Sequence, residues 1–118
     1  MRADDVALAG GLCLEFPELR VLLQEHLDDY DGLLPHLLLA DVTRWLVARL
    51  LEKVRSDSVL ASVLEFLEKH FASSGEHVSE LIAVSILETM PLKGEVGAEL
   101  RELLGPAMRE HLERYLTW

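Results

Sequence analysis

The stretch His77–Met90, HVSELIAVSILETM, constrains the fold more than any other part of the chain. At helical spacing, Val78, Leu81, Ile82, Ser85 and Ile86 share one side, with Ala83, Val84, Leu87 and Met90 beside and behind them. Glu80 and Glu88 leave only a narrow polar stripe, interrupted by Val84. An ordinary surface helix carries one apolar stripe, whereas a helix that is apolar nearly all round must be covered on several sides. The spacing therefore predicts a central helix, packed between earlier and later ones.

The remaining segments supply helices to cover it. Pro17 suits a first helical position, and Leu19, Leu22, Leu23, His26, Leu27 and Tyr30 continue a helix over about Pro17–Asp28. Asp29-Tyr30-Asp31-Gly32 ends it as a turn. A second helix, about Leu34–Arg55, has Pro35 in its first turn and an apolar face of Leu34, Leu37, Leu38, Val42, Trp45, Leu46, Leu50 and Val54. Ser56-Asp57-Ser58 offers cap oxygens to a third helix, which turns Leu60, Val63, Leu64, Leu67 and Phe71 inward. Ser73 followed by Glu76 fits a capping box that starts the central helix near Ser74, and Pro91 closes it.

Leu100, Leu103 and Leu104 belong to a short helix stopped by Gly105-Pro106. The last helix then faces Met108, His111, Leu112 and Tyr115 inward, with Glu110 and Arg114 placed to pair outside. Residues 1–14 stay open between a short helical turn ahead of Gly10-Gly11 and a loose arm. No sustained period-two alternation marks a strand. The expectation is an all-α protein, a single helical domain over residues 1–118, built as a compact array of five or six largely antiparallel helices.

Candidate chemistry is sparse. Cys13 is the only cysteine, which rules out an intrachain disulfide and a thiolate cluster; it reads as a small buried hydrophobe. Asp4 and Asp5 spoil a positively charged leader, and no stretch reaches the length of a membrane span. None of the five histidines is three or four residues from another. The nearest approach to a metal set is His26, Asp29, Asp31 and His36, but counting back from Gly32 puts Leu27 where a calcium loop needs its first acid. Ser79, Ser85 and Cys13 lack a nucleophile elbow, and Ser85 is expected to bond to the carbonyl a turn earlier. The expectation is a non-enzyme with no catalytic residue, no cofactor and no metal.

Charge is more informative. The formal net charge is −10, which opposes binding to nucleic acid or anionic membranes and favours a basic protein partner. Residues 1–41 hold nine acids against two arginines. Glu25, Asp28, Asp29 and Asp31 crowd one helix end and turn, where the helix dipole disfavours negative charge. These four acids, with Tyr30 as an aromatic anchor among them, form the candidate partner-binding surface. Trp118, the last residue, is the further candidate contact.

Three segments carry a resemblance: GLLPHLLLADVTRWL (Gly32–Leu46), ELIAVSILETMP (Glu80–Pro91) and LRELLGPAMREHL (Leu100–Leu112). In order and spacing they resemble a family of small acidic helical bacterial proteins, often classed as a domain of unknown function, across about Pro17–Leu116. Such proteins look like immunity proteins of polymorphic toxin systems. The resemblance implies a helical fold, no catalytic residue and, as partner, a cognate toxin domain with a basic cleft. The functional expectation is a cytoplasmic binding protein that blocks a toxin's active site or an adjacent exosite. The alternative is a structural or adaptor domain that self-associates or scaffolds an assembly.

Overall fold

The computed structural model describes residues 2–53 and 57–116. Seven helical rods follow one another among them, and no strand occurs there. They are α1 (Ala3–Glu15), a 3-10 turn (Pro17–Leu19) that runs straight into α2 (Arg20–Asp29), α3 (Pro35–Leu51), α4 (Ser58–Ser73), α5 (Glu76–Ile82) continued by a π-helical segment (Ala83–Leu87), a 3-10 segment (Ala98–Leu103), and α6 (Pro106–Tyr115). The all-helical expectation holds, but the count exceeds five or six.

The additional rod is α1, which runs through Gly10-Gly11. Two glycines cost roughly 1 kcal/mol each in a helix interior, yet burial of Leu8, Ala9, Leu12 and Cys13 fixes the segment. At Gly11 an added Cβ would lie 3.4 Å from the ring of Phe66, so the glycine lets α4 come close. Arg20 closes the far end, donating from Nε to the Cys13 carbonyl at 2.9 Å and from Nη2 to that of Leu14 at 3.0 Å. A cation at a helix C-terminus is favourable for both its charge and its hydrogen bonds.

The His77–Met90 stretch is central as its pattern requires. Val78, Leu81, Ile82, Ala83, Ser85, Ile86, Leu87 and Met90 are buried, and Glu80, Val84 and Glu88 form an exposed line. Its helix is not uniform, however. Between Ala83 and Leu87 the backbone widens to π geometry, and the Glu88 N–H reaches back five residues to the Ala83 carbonyl at 2.9 Å. Widening displaces carbonyls from the regular ladder. Here Thr89 Oγ1 donates to the Ser85 carbonyl at 2.8 Å and also lies 3.2 Å from Thr43 Oγ1, so two threonine hydroxyls line the widened turn.

This segment decides which face of α3 turns inward. Leu38, Leu39, Val42, Thr43 and Leu46 are buried against it, whereas Leu34 and Leu37, expected on the apolar face, are exposed. Trp45 is half-buried against the core, with the Arg49 guanidinium 5.6 Å from its ring centre. Residues from α1 to α6 join in one continuous apolar core. The radius of gyration, 13.6 Å, is that of a tightly packed chain of this length.

Three caps complete the scaffold, one of them unlike the expectation. Asp57 does cap α4, accepting from the Val59 and Leu60 amides at 3.1 Å each, and it also takes Arg49 Nε at 2.6 Å. The capping box at Ser73 and Glu76 does not form: Ser73 ends α4 and its hydroxyl turns to the Lys69 carbonyl. Gly75 instead stands at the N-cap of α5 with φ +97°, a conformation that side chains rarely adopt. The α6 N-terminus is capped from a distance, by Glu68 of α4, whose two oxygens accept from the Ala107 and Met108 amides at 2.9 Å. A Cβ at Gly105 would fall 2.5 Å from Glu68 Cγ, so only glycine leaves room for that carboxylate.

Asp57→Ala is expected to lower stability by about 0.5–2 kcal/mol, the usual worth of an N-cap side chain. The hydrogen bond from Arg49 is the largest influence holding the Asp57 carboxyl below its ordinary value. The folded-state value being depressed, the stabilisation is present above the unfolded carboxylate range and fades as pH falls through the folded one. Urea melts of parent and variant at neutral and acidic pH should therefore converge at the acid end. A difference that stayed constant would contradict the assignment.

Candidate partner-binding site

Glu25, Asp28, Asp29, Tyr30 and Asp31 meet at the corner where α2 ends and the chain turns into α3, and all five are exposed. What fixes this corner is a residue beneath it. His26 is only 2% exposed, and its Nε2 accepts the Leu34 backbone N–H at 2.9 Å, tying the end of α2 to the start of α3. Accepting at Nε2 requires the ring proton on Nδ1. The Tyr30 ring lies against His26, with centroids 5.0 Å apart, and the Tyr30 amide closes α2 on the His26 carbonyl. Gly32, at φ +126°, completes the turn ahead of Pro35.

The electrostatics of the corner are one-sided. The ion pairs among the described residues join Arg2 to Asp4, Arg44 to Asp41, Arg49 to Asp57, His77 to Asp5 and Arg114 to Glu110. None of them uses the four corner acids. Asp28 takes only the neutral amide of Gln24, at 3.0 Å. Apolar surface is interleaved with the acids: Leu27, Tyr30, Leu34 and Leu37 are between 41 and 45% exposed. Exposed apolar groups framed by charge are the usual make-up of a contact surface.

The other sequence candidates are placed as follows. Trp118 lies outside the described residues. Cys13 is buried, and burial raises its thiol above the ordinary value, as suits an inert core residue. Among the described residues no group of three or more His, Cys, Asp or Glu side chains is arranged to hold a metal ion. His26, in the cluster nearest to a metal set in sequence, has its Nε2 engaged by Leu34.

Two polar contacts escaped sequence reasoning. Ser85 does not bond a turn back: its hydroxyl shares a hydrogen bond of 2.8 Å with Nδ1 of His36, across from α3. The serine is 3% exposed, so its hydroxyl is shielded from any substrate. His77 Nε2 meets Asp5 at 2.8 Å and links α5 to α1. Neither pair has a spacing that sequence could flag, because the partners are 49 and 72 residues apart.

The scaffold is all-helical among the described residues, and it carries the acidic corner on an exposed turn. The chain belongs to the family described as Domain of unknown function (DUF7674), whose pattern matches residues 11–117. Neither a curated protein nor a solved structure matches the chain. Among the described residues no helix is long and apolar enough to cross a membrane.

Proposed function

We infer that this protein is a non-enzymatic, cytoplasmic binding protein, an immunity-type inhibitor that neutralises a bacterial toxin domain by covering its active site or an adjacent exosite. The observation that carries the reading is the corner itself. Four acids without a cationic partner, at a helix end where their charge is locally unfavourable, surround Tyr30 on a turn held rigid by His26. A basic cleft evolved to hold a polyanionic substrate offers the complementary charge. The overall charge of −10 speeds encounter with such a surface and repels nucleic acid and anionic membrane. The segments Gly32–Leu46, Glu80–Pro91 and Leu100–Leu112 resemble a family of small acidic helical bacterial proteins that look like immunity proteins, which favours the same reading.

The reading expects a toxin domain encoded beside this gene, and the test is to look for it there and co-express the two. The chain is expected to restore growth and to co-elute with the toxin domain in size-exclusion chromatography. Failure to restore growth, together with a stable homo-oligomer in mass photometry of the pure chain, would transfer the role to a self-associating adaptor.

A further inference from the structure

A groove of about 810 Å³ runs between the end of α3, the exposed side of α4 and the start of α6. Its walls are apolar: Leu50, Leu60, Ala61, Leu64, Leu103 and Pro106. Among the described residues its ionisable lining is Asp57, Glu65 and Glu68. Two of the three are engaged, Asp57 by Arg49 and the α4 amides, Glu68 by the α6 amides. Glu65 is exposed and enters none of the ion pairs among the described residues. At the lip Leu103 is 50% exposed.

We propose that this groove docks a cationic amphipathic helix of a partner protein, laid with its apolar stripe on the exposed Ala61, Leu103 and Pro106 over a floor of Leu60 and Leu64, and a lysine or arginine against Glu65. Helix-in-groove recognition needs an open apolar trough that accepts side chains at successive turns, with charge at its edge to set orientation. The groove supplies both. A second copy of this chain is a poor occupant, since each copy brings a charge of −10. Among the described lining an anionic helix would face Glu65, which enters no ion pair there. The groove lies at the end of α3 away from the α2–α3 corner, and the inference stands without the toxin-inhibitor reading.

The probe is a synthetic helix of about five turns, built from Leu and Lys with a single apolar stripe. Two controls accompany it: the same composition scrambled so that no stripe forms, and the striped helix with Glu in place of Lys. Binding to the full chain is followed by fluorescence anisotropy at low salt, and its location by amide shift changes in an NMR spectrum. The striped Leu/Lys helix is expected to bind saturably, with the largest shifts at Ala61, Leu64, Glu65 and Leu103. Ala61→Trp, which fills an exposed lining position, and Glu65→Lys should each weaken binding about tenfold or more. Leu103→Ser serves as a second groove variant should Ala61→Trp lose its helical spectrum. Glu88→Lys, on the exposed line of the central rod and outside the groove lining, should bind the helix within about twofold of the parent. Equal binding of the scrambled or the Glu helix overturns the proposal, as does parent-like binding by the groove variants or loss of binding in Glu88→Lys.

Discussion

Ile82→Ala is expected to destabilise the protein by about 2–5 kcal/mol, and Leu87→Ala by a similar amount, the range for large-to-small changes in well-packed cores. Both side chains are essentially inaccessible, at 0% and 1% exposure. They lie on different parts of the central rod, Ile82 at the end of α5 and Leu87 in the π-helical segment, so each truncation leaves a cavity enclosed by different neighbours. Collapse around Leu87 is further restrained by the Thr43 and Thr89 contacts that line the widened turn. Glu80→Ala, on the exposed line of the same rod, should cost well under 1 kcal/mol. Denaturant melts of the three variants decide the matter, and equal midpoints for all three would dismantle the central-rod account.

Tyr30→Ala is the functional counterpart. An aromatic anchor that enters a desolvated pocket in the partner typically contributes about 2 kcal/mol or more, roughly thirtyfold in Kd. The loss should fall mainly on dissociation, because truncating an anchor shortens the life of the complex without altering long-range attraction. Tyr30 also packs on His26, so the variant's melting temperature has to be measured beside its affinity. Tyr30→Phe keeps the ring on His26 and should retain most of the affinity. An off-rate unchanged in Tyr30→Ala would remove the residue from the interface.

Why some of this was legible in sequence follows from the physics of each feature. The central rod announced itself because burial on nearly every side removes polar residues from all but one line, and Glu80, Val84 and Glu88 are that line. The corner was legible for a related reason: four acids and a glycine turn within a few residues bring their charges together whatever the rest of the chain does. Features set by distant partners were not. The glycine pair in α1 reads as a break, and the contact that rescues it, Phe66 against Gly11, lies in another helix. The Ser73–Glu76 pair satisfies the letter of a capping box, but the backbone turn at Gly75 takes the cap position first. Glu68 caps α6 from 39 residues away, and nothing local distinguishes it from a surface glutamate. Leu39 and Thr43 of α3 are buried where α3 meets the π-helical segment, a distant partner whose widening no periodicity foretells.

Association kinetics test the docking role of the corner most directly. The full chain and its Glu25→Lys, Asp28→Lys, Asp31→Lys variant are each mixed at low and at physiological salt with the cognate toxin domain that co-expression identifies. All three positions are exposed, so the variant should fold as well as the parent or slightly better, with the charge now favourable to the α2 C-terminus. The account predicts an on-rate about tenfold lower or more at low salt, a smaller difference at higher salt, and a nearly unchanged off-rate, because exposed charges steer encounter more than they hold the complex. An on-rate equal to the parent's at low salt would contradict it and reduce the corner to a solvated surface.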